Sequence, residues 1–306
     1  MVCHSLLTNH CIFTNEIIVM IRFHFLNGQI VPASSACLPI SDLGIGRGYG
    51  IFDYLQVRQQ VPLYLSEHLQ RMYNSCRIMR LPIPFDEEEL KSTILELIRV
   101  NGMEDAGIKI IVTGGHAGNG FQLDNPNVAI QVLPFGQARQ DWMENGAPLI
   151  SYYYQRPIAE AKTTNYMVAV YLQDQVEKAG AVEPLYYTDA SVRESSRANI
   201  FAVYGDKLVT PAHHILQGIT RRHTIEWASI NAKIEVRDLP MEELLQADEL
   251  FLTGTMKMGL PIIQIDEHLI GNGKPGPVTR QVQKMLQQYE SDYLASHKLA
   301  STSMGS

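Results

Sequence analysis

Four short motifs lie in a fixed order between residues 162 and 255. They read Lys162-Thr163-Thr164-Asn165-Tyr166, then Glu194-Ser195-Ser196-Arg197-Ala198-Asn199-Ile200-Phe201, then Leu216-Gln217-Gly218-Ile219-Thr220-Arg221, and finally Thr253-Gly254-Thr255. The third motif opens a predicted helix, whose free N–H groups and positive dipole end attract anions. The four motifs therefore combine an amine, a carboxylate, an anion-binding helix start and a second turn with hydroxyl groups.

This combination suits pyridoxal phosphate. That cofactor needs an amine for a Schiff base, an anion opposite its pyridinium nitrogen, and backbone donors around its phosphate. In isolation Thr220 is equally well an ordinary helix cap, and the simplest interpretation of Glu194 is an exposed loop acid. The order and spacing of all four motifs, however, resemble the class IV aminotransferases. These are fold type IV pyridoxal-phosphate enzymes, and they include branched-chain and D-amino-acid aminotransferases and aminodeoxychorismate lyase.

The resemblance spans about residues 21 to 290 and implies a role for each motif. Lys162 would be the catalytic Schiff-base lysine, Tyr166 would bind the phenolic oxygen of the cofactor, and Glu194 would keep its pyridine nitrogen protonated. Arg71 would bind the phosphate through its planar guanidinium, while His68 on the same helix is expected to pack or cap. The implied cofactor-binding residues are Arg71, Lys162, Tyr166, Glu194, Ser195, Asn199, Leu216, Gly218, Ile219, Thr220 and Thr255, with Ser195, Ser196 and Asn199 either orienting Glu194 or approaching the cofactor.

The residues that would bind a substrate carboxylate depart from both usual patterns of the family. Branched-chain members have an aromatic residue and an arginine where this chain has Gly107 and Lys109, and D-amino-acid members have arginine and histidine in the following loop, here residues 114–120. The remaining cationic candidates are Arg47, Lys109 and His116. We favour Arg47, reaching across a dimer interface, over the alternative that Arg47 forms a structural ion pair. Alternate strand positions share a face, so Phe52 and Tyr54 are predicted to line the substrate pocket.

The function implied by the resemblance is transamination between an amino acid, branched-chain or D, and a 2-oxo acid. Aminodeoxychorismate lyase, which eliminates pyruvate and forms p-aminobenzoate, is the first alternative. A dimeric binding protein with a silent cofactor site is the second, and the presence of Lys162, Glu194 and Arg71 disfavours it. Because the family is generally dimeric, we expect a homodimer.

Composition agrees with an enzyme of the cytoplasm. The net charge of −7 and the lack of a strongly basic tract argue against nucleic-acid binding. The apolar run at residues 17–21 is far shorter than the about 20 residues that span a membrane. The four cysteines, Cys3, Cys11, Cys37 and Cys76, lack CxxC spacing, so we expect free thiols in a reducing compartment and no metal site.

Hydrophobic periodicity predicts an α/β (α+β) chain of two domains, and the resemblance implies a fold type IV enzyme with the cofactor in the cleft between them. We expect an extension at residues 1–20, from a mis-assigned start or a flexible segment, then a small domain at 21–133, a linker at 134–140, a large cofactor-binding domain at 141–295 and a frayed tail at 296–306. Ser66 is predicted to cap a helix that ends near Met79, and Asp86 with Glu89 forms a capping box for a helix to about Val100. Further helices are predicted at about 164–179, 220–231, 240–246 and 277–289.

Overall fold

The computed structural model describes the backbone of residues 21–303 and the side chains of residues 21–297. The expected N-terminal extension, Cys3, Cys11 and residues 304–306 lie outside the described residues. Of the other two cysteines, Cys37 is exposed and Cys76 is buried, and both are free thiols.

A six-stranded sheet forms the first part of the fold, in the order β2-β1-β6-β5-β3-β4. Its strands are β1 (Phe23–Leu26), β2 (Gln29–Pro32), β3 (Gly50–Arg58), β4 (Val61–Pro62), β5 (Ala106–Thr113) and β6 (Asn127–Pro134). Successive side chains of β3 point to opposite faces of this sheet. Ile51, Leu55 and Val57 are fully buried in the core under the helices, whereas Phe52 and Tyr54 face the opposite side.

A nine-stranded sheet begins after the chain leaves β6. Its order is β12-β11-β10-β13-β14-β7-β8-β9, with β15 paired to β14. The strands are β7 (Ala147–Tyr153), β8 (Pro184–Tyr187), β9 (Val192–Ser195), β10 (Asn199–Tyr204), β11 (Lys207–Thr210), β12 (Lys233–Val236), β13 (Glu249–Thr253), β14 (Leu260–Ile265) and β15 (His268–Leu269). Parallel and antiparallel pairs are mixed, as the predicted α+β pattern requires.

Nine α-helices surround the sheets within residues 21–303. They are α1 (Leu43–Arg47), α2 (Leu65–Ile78), α3 (Glu87–Asn101), α4 (Gln140–Asn145), α5 (Met167–Tyr171), α6 (Gln173–Lys178), α7 (Ile219–Asn231), α8 (Met241–Leu244) and α9 (Pro277–Ser303). The predicted capping box of α3 is confirmed, because the Asp86 side chain accepts from Glu89 N while the Glu89 side chain accepts from Asp86 N. None of the described helices is long and apolar enough to cross a membrane.

Three helix predictions are wrong at their ends. Helix α2 is capped by Tyr64, not Ser66, because the Tyr64 backbone adopts a left-handed conformation while its ring packs against His223. The single helix expected at 164–179 starts only at Met167 and is divided near Leu172, since residues 162–164 are hydrogen-bonded to β3 instead. The last helix runs past residue 289 to Ser303, through most of the expected tail.

Candidate active site

Lys162 lies in a segment between β7 and β8 of the second sheet that is hydrogen-bonded to the start of β3 in the first sheet. Phe52 N donates to Lys162 O at 2.9 Å, Thr164 N donates to Gly50 O at 2.9 Å, and Lys162 N donates to Ser75 Oγ at 3.1 Å. The backbone of the lysine is therefore fixed on both sides. Its side chain lines the cavity between the sheets, with Nζ 4.7 Å from the centroid of the Phe52 ring, which is within cation–π range.

The Lys162 amine is held close to neutrality. Burial and then the charge of Arg71 lower the pKa of Lys162 to about 7, against the ordinary value of about 10.4. A lysine with this pKa has a large neutral fraction at physiological pH, so its nitrogen can act as a nucleophile or a base.

This lowered pKa predicts how the chemical reactivity of Lys162 depends on pH, which can be measured without a substrate. Acetylation of Lys162 in the folded, cofactor-free protein by limiting acetic anhydride should rise with pH up to about 7 and then level off. The same lysine in the unfolded chain is the control, and its labelling should still be rising at pH 9. Between these two pKa values the unfolded chain binds the extra proton, so folding stability gains from this group as pH rises. Mass spectrometry of the Lys162 peptide measures both profiles, and identical profiles would contradict the shift.

Arg71 reaches the same cavity from α2 and is held by a buried acid. Its Nε and Nη2 donate to the two carboxylate oxygens of Asp53 at 2.8 and 2.7 Å. His68 Nδ1 lies 2.7 Å from Asp53 Oδ1, so the histidine supports this pair and does not line the cavity that contains Lys162. Burial opposes ionisation of Asp53, but Arg71 and His68 outweigh it and lower the pKa of Asp53 well below its usual range.

Glu194 lies on β9 as a buried carboxylate with partners on both oxygens. Oε1 accepts from Arg156 Nε and Nη2 at 2.8 and 2.7 Å, and Oε2 accepts from Leu216 N at 3.0 Å and from Asn199 Nδ2 at 3.4 Å. Arg156 also donates to Ala159 O at 2.6 Å, which links Glu194 to the turn before Lys162. Burial nevertheless raises the pKa of Glu194, against the effect of Arg156. Such a carboxylate gains from a second cationic or N–H partner in the cavity.

Tyr166 completes the wall between Lys162 and Glu194. Its ring packs edge-on against Phe52, with the centroids 5.5 Å apart. Burial raises the pKa of Tyr166 to about 12, so the phenol stays protonated and can donate a hydrogen bond.

The far end of the cavity is made of donors for an anion. Helix α7 starts at Ile219 after Gly218, which provides no side-chain cap, so its first N–H groups are free for a ligand. Thr220, Gly254 and Thr255 line the same end, and Thr253 Oγ1 is buried there without a hydrogen-bond partner among the described residues. With Arg71 opposite, these groups fit a phosphate, and the neighbouring lysine and acid fit the ring of pyridoxal phosphate.

Comparison with known proteins agrees with this geometry. A family model described as amino-transferase class IV matches residues 50–265. This chain belongs to the class IV aminotransferases. The D-alanine aminotransferase of Bacillus licheniformis is 30% identical over 268 residues, which cover 85% of this chain and 94% of that protein.

Solved structures of branched-chain aminotransferases share the fold. The enzyme from Thermoproteus uzoniensis with norvaline has a TM-score of 0.79 and 26% identity, covering 90% of this chain and 97% of the other. The T.th. enzyme with pyridoxamine 5′-phosphate has a TM-score of 0.80 and 27% identity, covering 88% and 94%. The predicted fold class and family are therefore confirmed: this class IV aminotransferase is a transaminase with pyridoxal phosphate as its cofactor.

The structure brings most of the predicted cofactor-binding residues of the aminotransferase to one cavity. Those that line it are Arg71, Lys162, Tyr166, Glu194, Asn199, Leu216, Gly218, Ile219, Thr220 and Thr255. Gly218 is required by its neighbour, since a Cβ at this position would lie 2.2 Å from Asn199 Oδ1.

Ser195 is the exception. Its hydroxyl donates to Glu183 at 2.5 Å, and it neither orients Glu194 nor lines the cavity. Successive residues of a strand face opposite sides, so Glu194 and Ser195 on β9 cannot share a partner here.

A second cavity of about 330 Å³ opens beside Lys162 and Tyr166. Phe52 and Tyr54 line it, as does an apolar group formed by Trp142, Val182, Met256 and Leu260. Gly107 leaves the space that the Tyr54 ring fills, since a Cβ there would lie 2.7 Å from the Tyr54 hydroxyl. Tyr54 on the adjacent strand therefore supplies an aromatic side chain to the cavity wall, whereas Gly107 supplies none.

None of the three predicted cations lines this cavity. Arg47 and His116 are exposed outside it, and Lys109 places Nζ 5.0 Å from the Phe52 ring centroid. Arg47 contacts the Phe121 ring at 5.3 Å and the Gly46 carbonyl at 3.1 Å, and it pairs with no carboxylate among the described residues. The alternative of a structural ion pair for Arg47 is therefore not found in this part of the chain.

Two cations that the sequence analysis missed, Arg197 and Lys257, do line the cavity. Both pair with Glu183, whose Oε1 lies 2.9 Å from Arg197 Nε and 3.0 Å from Lys257 Nζ. Although burial opposes it, these two charges lower the pKa of Glu183 to about 2. One buried carboxylate therefore holds two cations, which leaves one positive charge in excess at the cavity wall.

Two of the missed residues had a usable signal in the sequence. Asp53 lies at a core-facing position between Ile51 and Leu55, and Glu183 follows the apolar pair Ala181-Val182. Buried acids are rare unless they are paired, so each predicts a cationic partner. No local pattern marked Arg156, whose partner Glu194 is 38 residues away.

Proposed function

We propose that this transaminase exchanges an amino group between an amino acid with an apolar side chain, branched-chain or D, and a 2-oxo acid. The observation that carries the proposal is the cavity beside Lys162, which has apolar walls and two cations at one side. Amino acids with these properties are the substrates in the names of the relatives, D-alanine aminotransferase and branched-chain aminotransferase. An apolar wall accommodates the side chain, and a cation pairs with the α-carboxylate.

The proposed roles of the side chains follow from their surroundings. When bound, pyridoxal phosphate supplies an electron sink for the α-carbon of the substrate. Lys162 Nζ, neutral in part at pH 7, would take the proton from the α-carbon and deliver it to the C4′ carbon of the cofactor, while the Tyr166 phenol would donate a hydrogen bond. Glu194, oriented by Arg156 and Asn199, would hold a proton on the ring nitrogen of the cofactor. Arg71 and the first turn of α7 bind the phosphate.

We propose Arg197 and Lys257 as the residues that attract the substrate carboxylate within one protomer. Both line the cavity, and Arg197 uses only its backbone N and Nε for Glu183. A planar guanidinium with free terminal N–H groups is suited to a carboxylate.

Replacing either cation should therefore affect binding more than turnover. Arg197→Met and Lys257→Met are each expected to raise KM for amino acids about tenfold or more, because each removes a charge from the carboxylate partner. The rate constant for the first half-reaction, in which the amino acid gives its amino group to the bound cofactor, should change much less when the amino acid is saturating. Lys178→Met, on the exposed side of α6, is the control. A loss confined to kcat in both variants would contradict this assignment.

Arg47 remains a proposed substrate-binding residue only in a homodimer. Because Arg47 is exposed and lies outside its own cavity, it can act only on the cavity of a second copy. Helix α5 supports the proposal of a homodimer, since Met167, Val170 and Tyr171 leave about seven-tenths of their surface exposed. We propose a cytoplasmic homodimer, and a monomer in sedimentation velocity at micromolar concentration would contradict it.

One experiment tests the proposed substrates. The absorbance of the protein-bound cofactor is followed while D-alanine, D-leucine, L-leucine and L-glutamate are added separately, each followed by 2-oxoglutarate. A change with an apolar amino acid of one handedness, reversed by 2-oxoglutarate, is the expected result and fixes the handedness. A response to L-glutamate alone would contradict the proposal that the substrate has an apolar side chain. Release of pyruvate and p-aminobenzoate from aminodeoxychorismate, without an oxo acid, would indicate the lyase instead.

A further inference from the structure

The phosphate-binding groups come from two helices that are distant in sequence. Arg71 lies on α2, and the free N–H groups of Ile219 and Thr220 open α7. The two helices carry opposite sides of one anion site, so their spacing decides whether both sides reach the same phosphate. A displacement of about 1 Å is enough to weaken such contacts strongly.

One side chain joins the two helices a single turn from the site. Glu67, four residues before Arg71, accepts a hydrogen bond from Arg222 Nη2 and lies 3.0 Å from His223 Nε2 through its Oε2. Arg222 and His223 follow Thr220 on α7 within one helical turn. We name Glu67, Arg222 and His223 the α2–α7 clasp. Its carboxylate is about one-quarter exposed and the His223 side chain about one-tenth, so solvent screens the contact only in part.

The start of α2 is fixed against the same residue of α7. Tyr64, the N-cap, has a left-handed backbone with φ of 53°, an uncommon conformation for an aromatic residue. Its ring lies 4.8 Å from that of His223 and 4.7 Å from that of Tyr293 on α9. Backbone strain of this kind persists where the surrounding contacts determine the position of the residue.

The α2–α7 clasp also brings a negative charge from α2 to the positively charged start of α7. Positive groups lie on both helices near the site: Arg71 on α2, and Arg222 with the positive end of α7. Asp53 pairs with Arg71 on the α2 side, and Glu67 is the carboxylate that α2 offers to α7.

We propose that Glu67 is a positioning residue for the cofactor phosphate: through Arg222 and His223 it sets the distance between Arg71 and the first turn of α7. Its own side chain does not line the cofactor cavity. The effect should therefore depend on whether a ligand carries a phosphate, and not on its ring. The proposal concerns cofactor binding alone and stands apart from the choice of amino acid.

The test compares two ligands of the cofactor-free protein, pyridoxal phosphate and pyridoxal, by equilibrium dialysis. Glu67→Gln keeps the size of the side chain and removes its charge. It should weaken the binding of pyridoxal phosphate about tenfold and change the binding of pyridoxal less than twofold. Glu96→Gln is the matched control, because Glu96 pairs with Arg99 on the exposed face of α3. That control should bind both ligands as the unmodified protein does.

A second variant keeps the test decisive if Glu67→Gln folds poorly. Arg222→Gln breaks the clasp from α7, where the arginine is half exposed, and should reduce the preference for pyridoxal phosphate in the same way. The double variant should add little to either single change, since both remove one contact. An equal loss for both ligands would show a general structural role and overturn the proposal. Unchanged affinity for pyridoxal phosphate in both single variants would also overturn it.

Discussion

Replacing Lys162 with alanine is expected to lower turnover by at least about 10⁴-fold, the largest effect of any single change in this enzyme. Nζ is the proposed proton carrier of the site, and its pKa of about 7 lets it take up and release a proton at neutral pH. The fold should survive, because the lysine is held through its backbone by Phe52 N and Ser75 Oγ, and alanine keeps those bonds. Turnover is measured with the best amino acid found among the four tested.

Two controls separate chemistry from binding in this variant. Lys162→Ala should still bind pyridoxal phosphate through Arg71 and the α7 helix start, although more weakly, and dialysis measures this. A small primary amine added to the solution should restore part of the half-reaction, because it can carry the proton that Nζ carried. Turnover within tenfold of the unmodified enzyme would remove Lys162 from the mechanism.

Glu194→Gln should lower turnover by about 10²- to 10³-fold, the second largest expected effect. A neutral amide cannot hold a proton on a ring nitrogen, so the electron sink is lost. The same change leaves the buried Arg156 without the carboxylate it pairs with at 2.7 Å, and breaking a buried pair costs about 3–5 kcal/mol of folding free energy. Thermal unfolding with and without cofactor is therefore measured alongside single-turnover rates.

Glu194→Asp distinguishes lost charge from lost stability. Aspartate keeps the negative charge one methylene further from the cavity, so it should retain more turnover than the glutamine variant. If the two variants lose turnover in proportion to their loss of folding stability, the carboxylate has only a structural role. A glutamine variant within threefold of the unmodified rate would likewise contradict the assignment of Glu194.

The predicted site residues that the structure brings together are those whose chemistry is local. Lys162, Glu194 and the Gly218-Ile219-Thr220 helix start belong to short motifs, and the structure places them around one cavity. The capping box of α3 is local in the same sense, because Asp86 and Glu89 bind each other's backbone. Such patterns need no knowledge of how distant segments meet.

The residues that were missed depend on contacts across the fold. Glu183, just before β8, meets Lys257 in the turn after β13 only through the fold, since the two residues are 74 positions apart in the chain. The start of α2 was misplaced for a similar reason, since the contact of Tyr64 with His223 outweighs the local preference of Ser66 for a capping position. Arg47, by contrast, was chosen because the family's usual carboxylate-binding residues are absent. Within one protomer it lies outside the cavity beside Lys162.

The hydrogen bonds between residues 162–164 and β3 have a consequence for solubility. β3 pairs with β5 along one side, but on the other side β4 covers only Val57 and Arg58. The segment around Lys162 supplies the partner for Gly50–Phe52, through the bridge between Ile51 and Thr163. An uncovered strand edge of this kind is a template for pairing with other chains. The segment that carries Lys162 therefore also shields a sheet edge, and a chain truncated before it would expose an aggregation-prone strand edge.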